Sequence, residues 1–401
     1  MTRIVILGGG FAGVACALEL ARSKAHRDLS ITLVDERPYH LYHPLLYEVV
    51  SAARGLSAEE LRNAATIPHE AIFSGTGVAV RRAHVKYWNE QEQCINLESG
   101  ILAYDVLVIA LGSTSEYFGV PGAQEYAWPF KSFDDAVRFR NAFQSEFRRP
   151  DGVVTAVVSG GGFTGVECAA ELAGLVRHLG AEGKRIGHVV VVEGCPQLLP
   201  GLDPRVAVRV RARLEHLGVE LRLNTLVERV SKDGVALNSN ERIKTKFVLW
   251  TSGVRACPLP GVTKDVCGVK GRLSTDRMLR VAGHTNVYTV GDIACTVGAD
   301  GKPLPQTASL AIQEGQYVAR AVVASIEKKK MDPFRAHFEG YVIPVGGKHA
   351  LFVHPSGWIV GGRLGWGLRR LVDLMYLCSV LPFARACSIW MRANRLLVKN
   401  D

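Results

Sequence analysis

Two stretches of this sequence place three glycines at one spacing, each directly after a short apolar run. In the first stretch, Gly8, Gly10 and Gly13 follow the run Ile4 to Leu7 and precede a helix-forming run. Glycines at these positions permit a tight turn, let the backbone approach a pyrophosphate and let the helix pack on the strand. The start of that helix also offers free N–H groups to a phosphate. The stretch therefore predicts a dinucleotide site.

A carboxylate follows where the ribose of such a dinucleotide would bind. A second apolar run, Ile31 to Val34, ends in Asp35, 22 residues after Gly13. An acid at this place accepts hydrogen bonds from ribose hydroxyls. An ordinary glycine-rich turn is the alternative, but it requires neither the acid nor the strand–helix–strand order around it.

The second stretch repeats the whole unit. An apolar strand leads into Gly160, Gly162 and Gly165, and a later run of valines ends in Glu193, 28 residues after Gly165. This duplication predicts that two dinucleotides bind at once. An acid at the end of the second strand favours a free ribose 2′-hydroxyl, and hence NADH over NADPH. No arginine directly follows Glu193, which agrees with NADH.

Later segments are placed to contact the same ligands. The apolar runs 104–113 and 247–253 end in small residues and glycine, which lets the backbone lie against a cofactor. A short strand ends in Gly291 and Asp292, and this aspartate can accept a hydrogen bond from a ribityl hydroxyl. A simple turn aspartate is the alternative. The segment 305–315 opens a helix of small residues, which would let its N-terminus approach a flat ligand.

The length of 401 residues suits two or three domains. The composition, with 48% hydrophobic and 21% charged residues, is that of a globular protein. The net charge of +10 suits nucleic acid, an anionic membrane surface or anionic cofactors. No basic run interleaved with aromatics is present, so we do not expect nucleic-acid binding. The nine cysteines are scattered without metal-ligand spacing, which predicts reduced thiols and no metal site. We expect neither a signal peptide nor a membrane-spanning helix.

The C-terminal segment has a different composition. From 363 to 399 it is rich in Leu, Trp and Arg, and Asp373 is its only acid. The uncharged run 374–384 is too short to span a bilayer, and Trp366 and Trp390 flank it as interface-seeking side chains do. We expect a helix pair lying in an anionic membrane surface, with a basic dimerisation helix as the alternative. The basic residues are Arg363, Arg369, Arg370, Arg385, Arg392, Arg395 and Lys399.

Together these residues resemble the two-dinucleotide-binding-domain flavoproteins, and within them the type II NADH:quinone oxidoreductases. The segments that carry the resemblance are 33–50, 160–167, 250–254, 290–294 and 308–315. The resemblance implies a respiratory-chain enzyme that oxidises NADH, reduces a membrane quinone by two electrons and pumps no protons. It also implies a peripheral protein, a homodimer, on the cytoplasmic face of the cell (inner) membrane.

The expected fold is α/β, with two Rossmann-like dinucleotide-binding domains, inserted β-meanders and a C-terminal membrane-associating segment. Short β-like runs between about 73 and 100 predict the first meander. The expected domains are 1–150 and 276–335 for the two parts of the FAD-binding domain, 151–275 for the NADH-binding domain, and 336–401 for membrane anchoring or dimerisation.

The resemblance implies non-covalent FAD and NADH as cofactors, and it assigns residues to each. The residues expected to hold FAD are Gly8, Gly10, Phe11, Ala12, Gly13, Asp35, Glu36, Ala110, Gly112, Asp292, Thr307 and Ala308. Those expected to hold NADH are Gly160, Gly162, Phe163, Thr164, Gly165, Glu193, Ser252 and Gly253.

The resemblance also implies catalytic and quinone-binding residues. Glu167 matches a family glutamate close to nicotinamide and flavin that helps to pass protons, and Gln313 matches a glutamine beside the quinone. The expected quinone pocket comprises His43, Ser309, Ala311 and Gln313. The family usually carries glutamine at the positions of His43 and Ser309, so the identity of the acceptor stays open.

Other flavoproteins remain as alternatives. A disulfide reductase is disfavoured, because residues 36–93 contain no cysteine and residues 160–194 only Cys168. Sulfide:quinone oxidoreductases use separated cysteines, and Cys195, Cys257 and Cys295 keep that reaction open. A redox-responsive interaction protein of the apoptosis-inducing-factor kind is the third possibility.

Overall fold

A computed structural model of the chain describes residues 1–53, 55–149, 152–182, 186–298 and 301–397. Pro150 and Asp151, at the expected boundary between the first two domains, lie outside the described residues, as do the last four residues with Lys399. The described chain divides into two compact units, each built from several segments. The functional division into domains stays a prediction.

The elements are numbered in chain order. The helices are α1 (Phe11–Arg22), α2 (Leu46–Ser51), α3 (Ala58–Ala65), α4 (His69–Phe73), α5 (Ala123–Tyr126), α6 (Phe133–Glu146), α7 (Phe163–Glu182), α8 (Pro204–His216), α9 (Ala308–Ile326), α10 (Gly362–Val380) and α11 (Phe383–Leu397). The strands up to the second glycine loop are β1 (Thr2–Leu7), β2 (Leu29–Asp35), β3 (Tyr39–Leu41), β4 (Thr66–Pro68), β5 (Ala79–Arg82), β6 (Val85–Asn89), β7 (Cys94–Leu97), β8 (Gly100–Ala103), β9 (Val106–Ile109), β10 (Ser113–Ser115), β11 (Trp128–Pro129) and β12 (Val153–Ser159). Those after it are β13 (Ile186–Val192), β14 (Val219–Arg222), β15 (Val227–Ser231), β16 (Gly234–Leu237), β17 (Arg242–Lys244), β18 (Phe247–Trp250), β19 (Val254–Ala256), β20 (Leu273–Ser274), β21 (Val287–Thr289), β22 (Ala294–Cys295), β23 (Tyr341–Pro344), β24 (Ala350–Val353) and β25 (Ile359–Val360).

The first unit comprises residues 1–41, 66–114 and 254–337. Its centre is a parallel sheet with the strand order β21-β9-β1-β2-β5. Ile4 on β1 pairs with Ile31 on β2 and with Val106 on β9. The central strands are near-continuous apolar runs, as expected for a parallel sheet covered on both faces. Ligands of such sheets bind at the carboxyl ends of the strands where the strand order reverses, here between β1 and β9.

The predicted meander of this unit is smaller than expected. Strands β6, β7 and β8 form an antiparallel sheet, as the sequence predicts. Strand β5 was expected in the meander, but it is the edge strand of the parallel sheet, where Arg82 pairs with Asp35 of β2. Local β-propensity locates a strand but does not select its partner, which tertiary packing decides.

The second unit comprises the described residues of 42–65, 115–253 and 338–401. Its parallel sheet has the order β11-β18-β12-β13-β14, so β12, β13 and β18 repeat the arrangement of β1, β2 and β9. Strands β15, β16 and β17 form the second meander. The prediction of an α/β fold with two parallel-sheet units and inserted meanders is therefore confirmed.

The remaining elements of the second unit include the C-terminal segment. Helix α2 packs on α6 and α7, and β23, β24 and β25 form a small antiparallel sheet beside α10. The expected C-terminal helix pair is present as α10 and α11, separated at Leu381 and Pro382. Within the described ranges, every helix is too short or too polar to cross a bilayer.

Candidate functional site

The first glycine loop joins β1 to α1 and has an open face at its middle glycine. Gly8 has φ +102°, and a Cβ on it would collide with the carbonyl oxygen of Ala110. A Cβ on Gly13 would collide with the carbonyl oxygen of Gly8, so both positions require glycine. In front of Gly10, no described atom lies within 4 Å of such a Cβ. The loop is thus a backbone cradle, and it fits the pyrophosphate of a dinucleotide at the start of α1.

Asp35, at the end of β2, holds this loop from the side. Its carboxylate accepts hydrogen bonds from the N–H of Gly9 and, at 2.7 Å, from the N–H of Arg37. Burial raises the pKa of this carboxyl, and the two N–H groups lower it. The predicted ribose-binding acid therefore stands beside the cradle. Glu36, also predicted, is exposed and pairs with Arg37 at 3.2 Å.

Two histidines that the sequence motifs did not predict for the site lie behind the loop. His40 Nδ1 lies 3.1 Å and His69 Nε2 3.3 Å from the carbonyl oxygen of Gly9. Both rings are buried, and Phe11 packs edge-on against His40 with the ring centroids 4.8 Å apart. Burial lowers the pKa of His69, so its ring is neutral near pH 7. The two rings fix the carbonyl group of Gly9 and thereby the loop.

The turn after β21 is tied down on three sides. The side chain of Asp292 accepts a hydrogen bond from the Ser113 hydroxyl at 2.5 Å. The carbonyl oxygen of Asp292 accepts one from the amide of Gln306 at 2.8 Å. The N–H of Gly291 donates to Glu314 on α9 at 2.6 Å. The predicted ribityl-binding aspartate is thus held at the carboxyl edge of the sheet.

Small residues let the start of α9 approach this turn and α1. A Cβ on Gly291 would lie 3.2 Å from the Cβ of Ala12 and 3.7 Å from that of Ala311. The side chain of Thr307 caps the first turn of α9. Gly112, after β9, has an open face like that of Gly10. The predicted FAD residues other than Glu36 therefore lie at the carboxyl ends of β1, β2, β9 and β21 or at the starts of α1 and α9.

The predicted quinone residues belong to both units. In the first unit, the side chain of Gln313 donates to the carbonyl oxygen of His337 at 2.9 Å and accepts from its N–H at 2.8 Å. Ser309, one turn earlier on α9, is exposed and lies 3.3 Å from the same amide. His43 belongs to the second unit, where its Nε2 lies 3.3 Å from the carbonyl oxygen of Lys131. The amide of Gln313 is therefore fixed by backbone groups.

The second glycine loop joins β12 to α7 and repeats the cradle in the second unit. A Cβ on Gly160 would collide with the backbone of Ser252, and one on Gly165 with the carbonyl oxygen of Gly160. Gly162 has an open face, with no described atom within 4 Å of a Cβ placed there. The hydroxyl groups of Ser252 and Ser159 share a hydrogen bond of 2.5 Å. This cradle fits a second pyrophosphate.

Glu193 holds the second loop as Asp35 holds the first. Its carboxylate accepts hydrogen bonds from the N–H of Gly161 at 2.6 Å and of Cys195 at 2.8 Å. In both units, the acid that ends the second strand binds the N–H after the first glycine and the N–H two residues beyond itself. Of the remaining predicted NADH residues, Phe163 and Thr164 begin α7 between Gly162 and Gly165, and Gly253 follows Ser252 after β18.

A buried ion cluster, formed by Tyr42, Glu48, Arg369, Arg370 and Asp373, lies inside the second unit. Arg370 donates to both carboxylate oxygens of Glu48, at 2.8 and 2.9 Å. Asp373 accepts hydrogen bonds from Arg369 and, at 2.6 Å, from the hydroxyl of Tyr42. The four charged side chains are at most 7% exposed. Two cations balance two anions, which offsets part of the cost of burying them.

The cluster corrects the interpretation of the C-terminal charges. Arg369 and Arg370 were counted with the basic residues of a membrane-facing segment, but both are buried and paired with acids. Arg369 and Asp373 are four residues apart on a helix, and this spacing was the available signal. Glu48 carried no such signal, because it lies far away in the chain.

Glu167 lies on α7, one turn beyond the glycine loop. Glu171, one turn further, is buried and accepts a hydrogen bond from the Ser51 hydroxyl at 2.7 Å. Burial raises the pKa of Glu167, Arg369 lowers it, and the neighbouring acids of α7 and the ion cluster raise it; the net result is a pKa of about 8. Glu167 therefore keeps a proton at neutral pH. Charges of the buried ion cluster contribute to this pKa.

The outer face of α10 and α11 is apolar with a basic margin. Leu364 is 75% exposed and Met375 62%. The other exposed apolar side chains of the pair are Leu368, Leu371, Val372, Phe383 and Met391, and its exposed arginines are Arg363, Arg385, Arg392 and Arg395. Trp366 and Trp390 are partly exposed and also make internal contacts. The guanidinium of Arg370 lies 5.4 Å from the Trp366 ring, and the Trp390 N–H donates to the carbonyl oxygen of Arg370 at 2.8 Å.

Known proteins resemble this chain in sequence over nearly its whole length. It is 27% identical over 387 residues to the type II NADH:quinone oxidoreductase of Staphylococcus haemolyticus, covering 92% of this chain and 94% of that protein. It is 29% identical over 405 residues to the type II NADH:quinone oxidoreductase Ndh of Mycobacterium tuberculosis, covering 94% and 84%. The resemblance to the type II NADH:quinone oxidoreductases is therefore confirmed.

Solved structures share the fold. The structure of NDH2 from Plasmodium falciparum in complex with NADH matches with a TM-score of 0.84 at 20% identity, covering 98% of each chain. The sulfide:quinone oxidoreductase from Aquifex aeolicus matches with a TM-score of 0.77 at 17% identity, covering 99% of this chain and 92% of that one. A family model described as pyridine nucleotide-disulphide oxidoreductase matches residues 2–315. Because this match spans most of the chain, the protein belongs to the pyridine nucleotide-disulphide oxidoreductase family.

Proposed function

We propose that this chain is a flavin-dependent NADH:quinone oxidoreductase of the type II kind. The observation that carries the proposal is the pair of glycine cradles, each bound by an acid and open at its middle glycine. Two cradles support two dinucleotides, and relatives of the chain are named for NADH and quinone. FAD, when bound, supplies a ring that accepts a hydride from NADH and passes two electrons to a quinone.

The first cradle would hold FAD without a covalent bond. The open backbone at Gly10 would take the pyrophosphate, and Asp35 would accept hydrogen bonds from the ribose. Asp292 would accept one from the ribityl chain, since Ser113 already fixes its carboxylate. His40 would keep the loop in place through the carbonyl group of Gly9.

The second cradle would hold NADH. Each carboxylate oxygen of Glu193 accepts one backbone hydrogen bond, and the carboxylate keeps lone-pair capacity for a ribose hydroxyl. A 2′-phosphate would instead meet a negative charge at this place. The arrangement therefore favours NADH over NADPH.

Glu167 and Gln313 would serve the quinone half of the reaction. Glu167 holds a proton at neutral pH and would deliver it when the quinone is reduced. Gln313 is fixed by the backbone of His337, so it would act by shaping the place of the quinone. Ser309 and Ala311 lie on α9 with Gln313 and would line the quinone site in the first unit. His43 belongs to the second unit, and its role at the quinone stays a prediction; His43 and Ser309 set this chain apart from the family pattern.

The outer face of α10 and α11 would lie on the membrane. Its exposed apolar side chains would enter the interface, and its exposed arginines would attract anionic lipid. Arg369 and Arg370 take no part, because the buried ion cluster uses them. We place the enzyme peripherally on the cytoplasmic face of the membrane, where it would reach its quinone, and propose a homodimer.

A sulfide:quinone oxidoreductase is the second candidate, since such an enzyme shares the fold. That reaction requires reactive thiolates. A hydrogen bond with Glu193 raises the pKa of the Cys195 thiol, which disfavours its thiolate at neutral pH. Cys257 and Cys295, the other two cysteines that keep this reaction open, both lie in the first unit.

Steady-state turnover with a short-chain quinone tests these candidates. The proposed function predicts quinone reduction that depends on NADH and not on sulfide. Turnover with sulfide but not NADH would establish the second candidate. Flavin reduction by NADH with negligible quinone turnover would favour a redox-responsive interaction protein.

A further inference from the structure

Helix α9 carries a buried carboxylate to which the proposed function gives no role. Glu314 is 2% exposed. One of its oxygens accepts a hydrogen bond from the N–H of Gly291 at 2.6 Å, and the other accepts one from the Thr296 hydroxyl at 2.6 Å. Burial of a carboxylate is costly even when it is hydrogen-bonded. An apolar side chain would avoid this cost, but it could not accept the hydrogen bonds from Gly291 and Thr296.

The hydrogen bond to Gly291 controls the turn on which Asp292 stands. Gly291 has φ +74°, a conformation in which glycine has wide freedom. Ser113 and Gln306 hold the residue after it, while Glu314 holds the N–H of Gly291 itself. Without Glu314, the peptide group that enters the turn would lose this partner.

Gly315, the next residue, fixes the place of Glu314. A Cβ on Gly315 would collide with the carbonyl oxygen of Ala12, so α9 lies directly on α1. Helix α1 begins at the first glycine loop. The position of the Glu314 backbone is therefore fixed relative to the first glycine loop, which would hold the FAD pyrophosphate.

We propose that Glu314 is a positioning residue for FAD, which holds the Gly291–Asp292 turn in its binding shape and loosens that hold when it is protonated. This inference rests on the proposed function, which assigns FAD to the first unit. It goes beyond that function by naming a group that makes flavin binding depend on pH.

The charges around Glu314 place its ionisation in the neutral range. Burial raises the pKa of Glu314, the hydrogen bonds from Thr296 and Gly291 and the charge of Arg272 lower it, and Asp292 raises it; the net result is a pKa of about 7. On α1, the ionisable side chains are Cys16, Glu19 and Arg22, and Glu19 faces Arg320 of α9 at 3.8 Å. An ionised carboxylate makes hydrogen bonds about twice as strong as a neutral group does. The turn is therefore held more firmly above pH 7 than below it.

The test is the dissociation constant of FAD, measured on the holoenzyme from the fluorescence of flavin released on dilution. We expect the wild-type protein to bind FAD roughly five-fold more tightly at about pH 8 than at about pH 6, the gain of one charge-assisted over one neutral hydrogen bond. Glu314→Gln keeps the shape and imitates the protonated acid. It should bind as weakly as the wild type at low pH, without the pH step.

Two further variants sharpen the test. Thr296→Val removes a donor that stabilises the carboxylate, so the midpoint of the step should move to higher pH. Glu19→Gln removes a carboxylate from the same pair of helices and should keep the wild-type step. A wild-type step retained in Glu314→Gln, or tight binding by that variant at every pH, would overturn the inference alone. Purified protein without any flavin would overturn both the inference and the proposed function.

Discussion

Arg370 on α10 donates to both carboxylate oxygens of Glu48 on α2, at 2.8 and 2.9 Å, across 322 positions of sequence. The two side chains are 7% and 5% exposed. This ion pair connects the C-terminal helices to the segment 42–65 within the second unit. The same cluster contributes to the field that acts on Glu167. The C-terminal helices are therefore part of the folded core of this unit as well as its proposed membrane face.

Removal of one partner of the Arg370–Glu48 ion pair should destabilise the second unit strongly. Glu48→Gln leaves Arg370 buried with a neutral neighbour, and we expect the free energy of unfolding to fall by about 3–5 kcal/mol. Urea denaturation followed by tryptophan fluorescence measures this. Glu220→Gln is the matched control, because Glu220 pairs with Arg222 at the surface and its loss should cost less than about 1 kcal/mol. Equal effects of the two variants would show that the buried pair contributes no more than a surface pair.

Glu167 should produce an alkaline limb in the pH profile of quinone reduction. Its pKa is raised to about 8, so the side chain is protonated below that pH and ionises as the pH rises through it. If this proton is delivered during quinone reduction, kcat falls above about pH 8. Glu167→Gln cannot donate a proton and should lower kcat roughly 100-fold and flatten the limb. A variant that keeps the wild-type rate and the same limb would exclude Glu167 from proton delivery.

Substitution of the open glycines tests which cradle holds NADH and which holds flavin. Gly162→Ala places a methyl group on the open face of the second cradle, where the folded chain has room for it. We expect the KM for NADH to rise at least about ten-fold while flavin stays bound, because the loss of one good contact costs 1.5–3 kcal/mol. Gly10→Ala makes the same change in the first cradle and should release flavin instead. The assignment fails if both variants lose flavin, or if Gly162→Ala leaves the KM unchanged.

Exposed side chains of α10 should carry membrane binding. Deletion of 363–401 would also remove Arg369 and Arg370 from the buried ion cluster, so surface substitutions are the cleaner test. Leu371→Gln with Met375→Gln should reduce co-sedimentation with anionic phospholipid vesicles at least about ten-fold. NADH oxidation with a soluble dye should persist. Val208→Gln changes a similarly exposed side chain on α8 and should have no effect.

A dimer interface is the competing use of the same face. If the double substitution leaves vesicle binding intact but converts a dimer to a monomer in analytical ultracentrifugation, α10 serves dimerisation and the membrane proposal is wrong.

Local signals account for what the sequence predicted. The glycine spacing, the apolar runs and the acids Asp35 and Glu193 lie within short stretches, and steric rules alone place them at the carboxyl ends of parallel strands. The duplication then located both cradles. The break between α10 and α11 at Pro382 also has a local cause, because proline cannot continue a helix.

Contacts between distant residues account for what the sequence did not predict. The i,i+4 spacing pairs Arg369 with Asp373, but nothing local pairs Arg370 with Glu48. Similarly, Gln313 is fixed by the backbone of His337, and β5 joins the parallel sheet because β2 is there to pair with it. Such partners are chosen by tertiary packing, which a single sequence does not display.

The most direct test of the central claim is an anaerobic titration of the purified protein, followed by its flavin absorption. We predict that NADH bleaches the visible flavin band in proportion to the amount added, and that a short-chain quinone then restores it. Protein without a flavin spectrum, a band that NADH leaves unchanged, or reduced flavin that quinone fails to reoxidise would contradict the account.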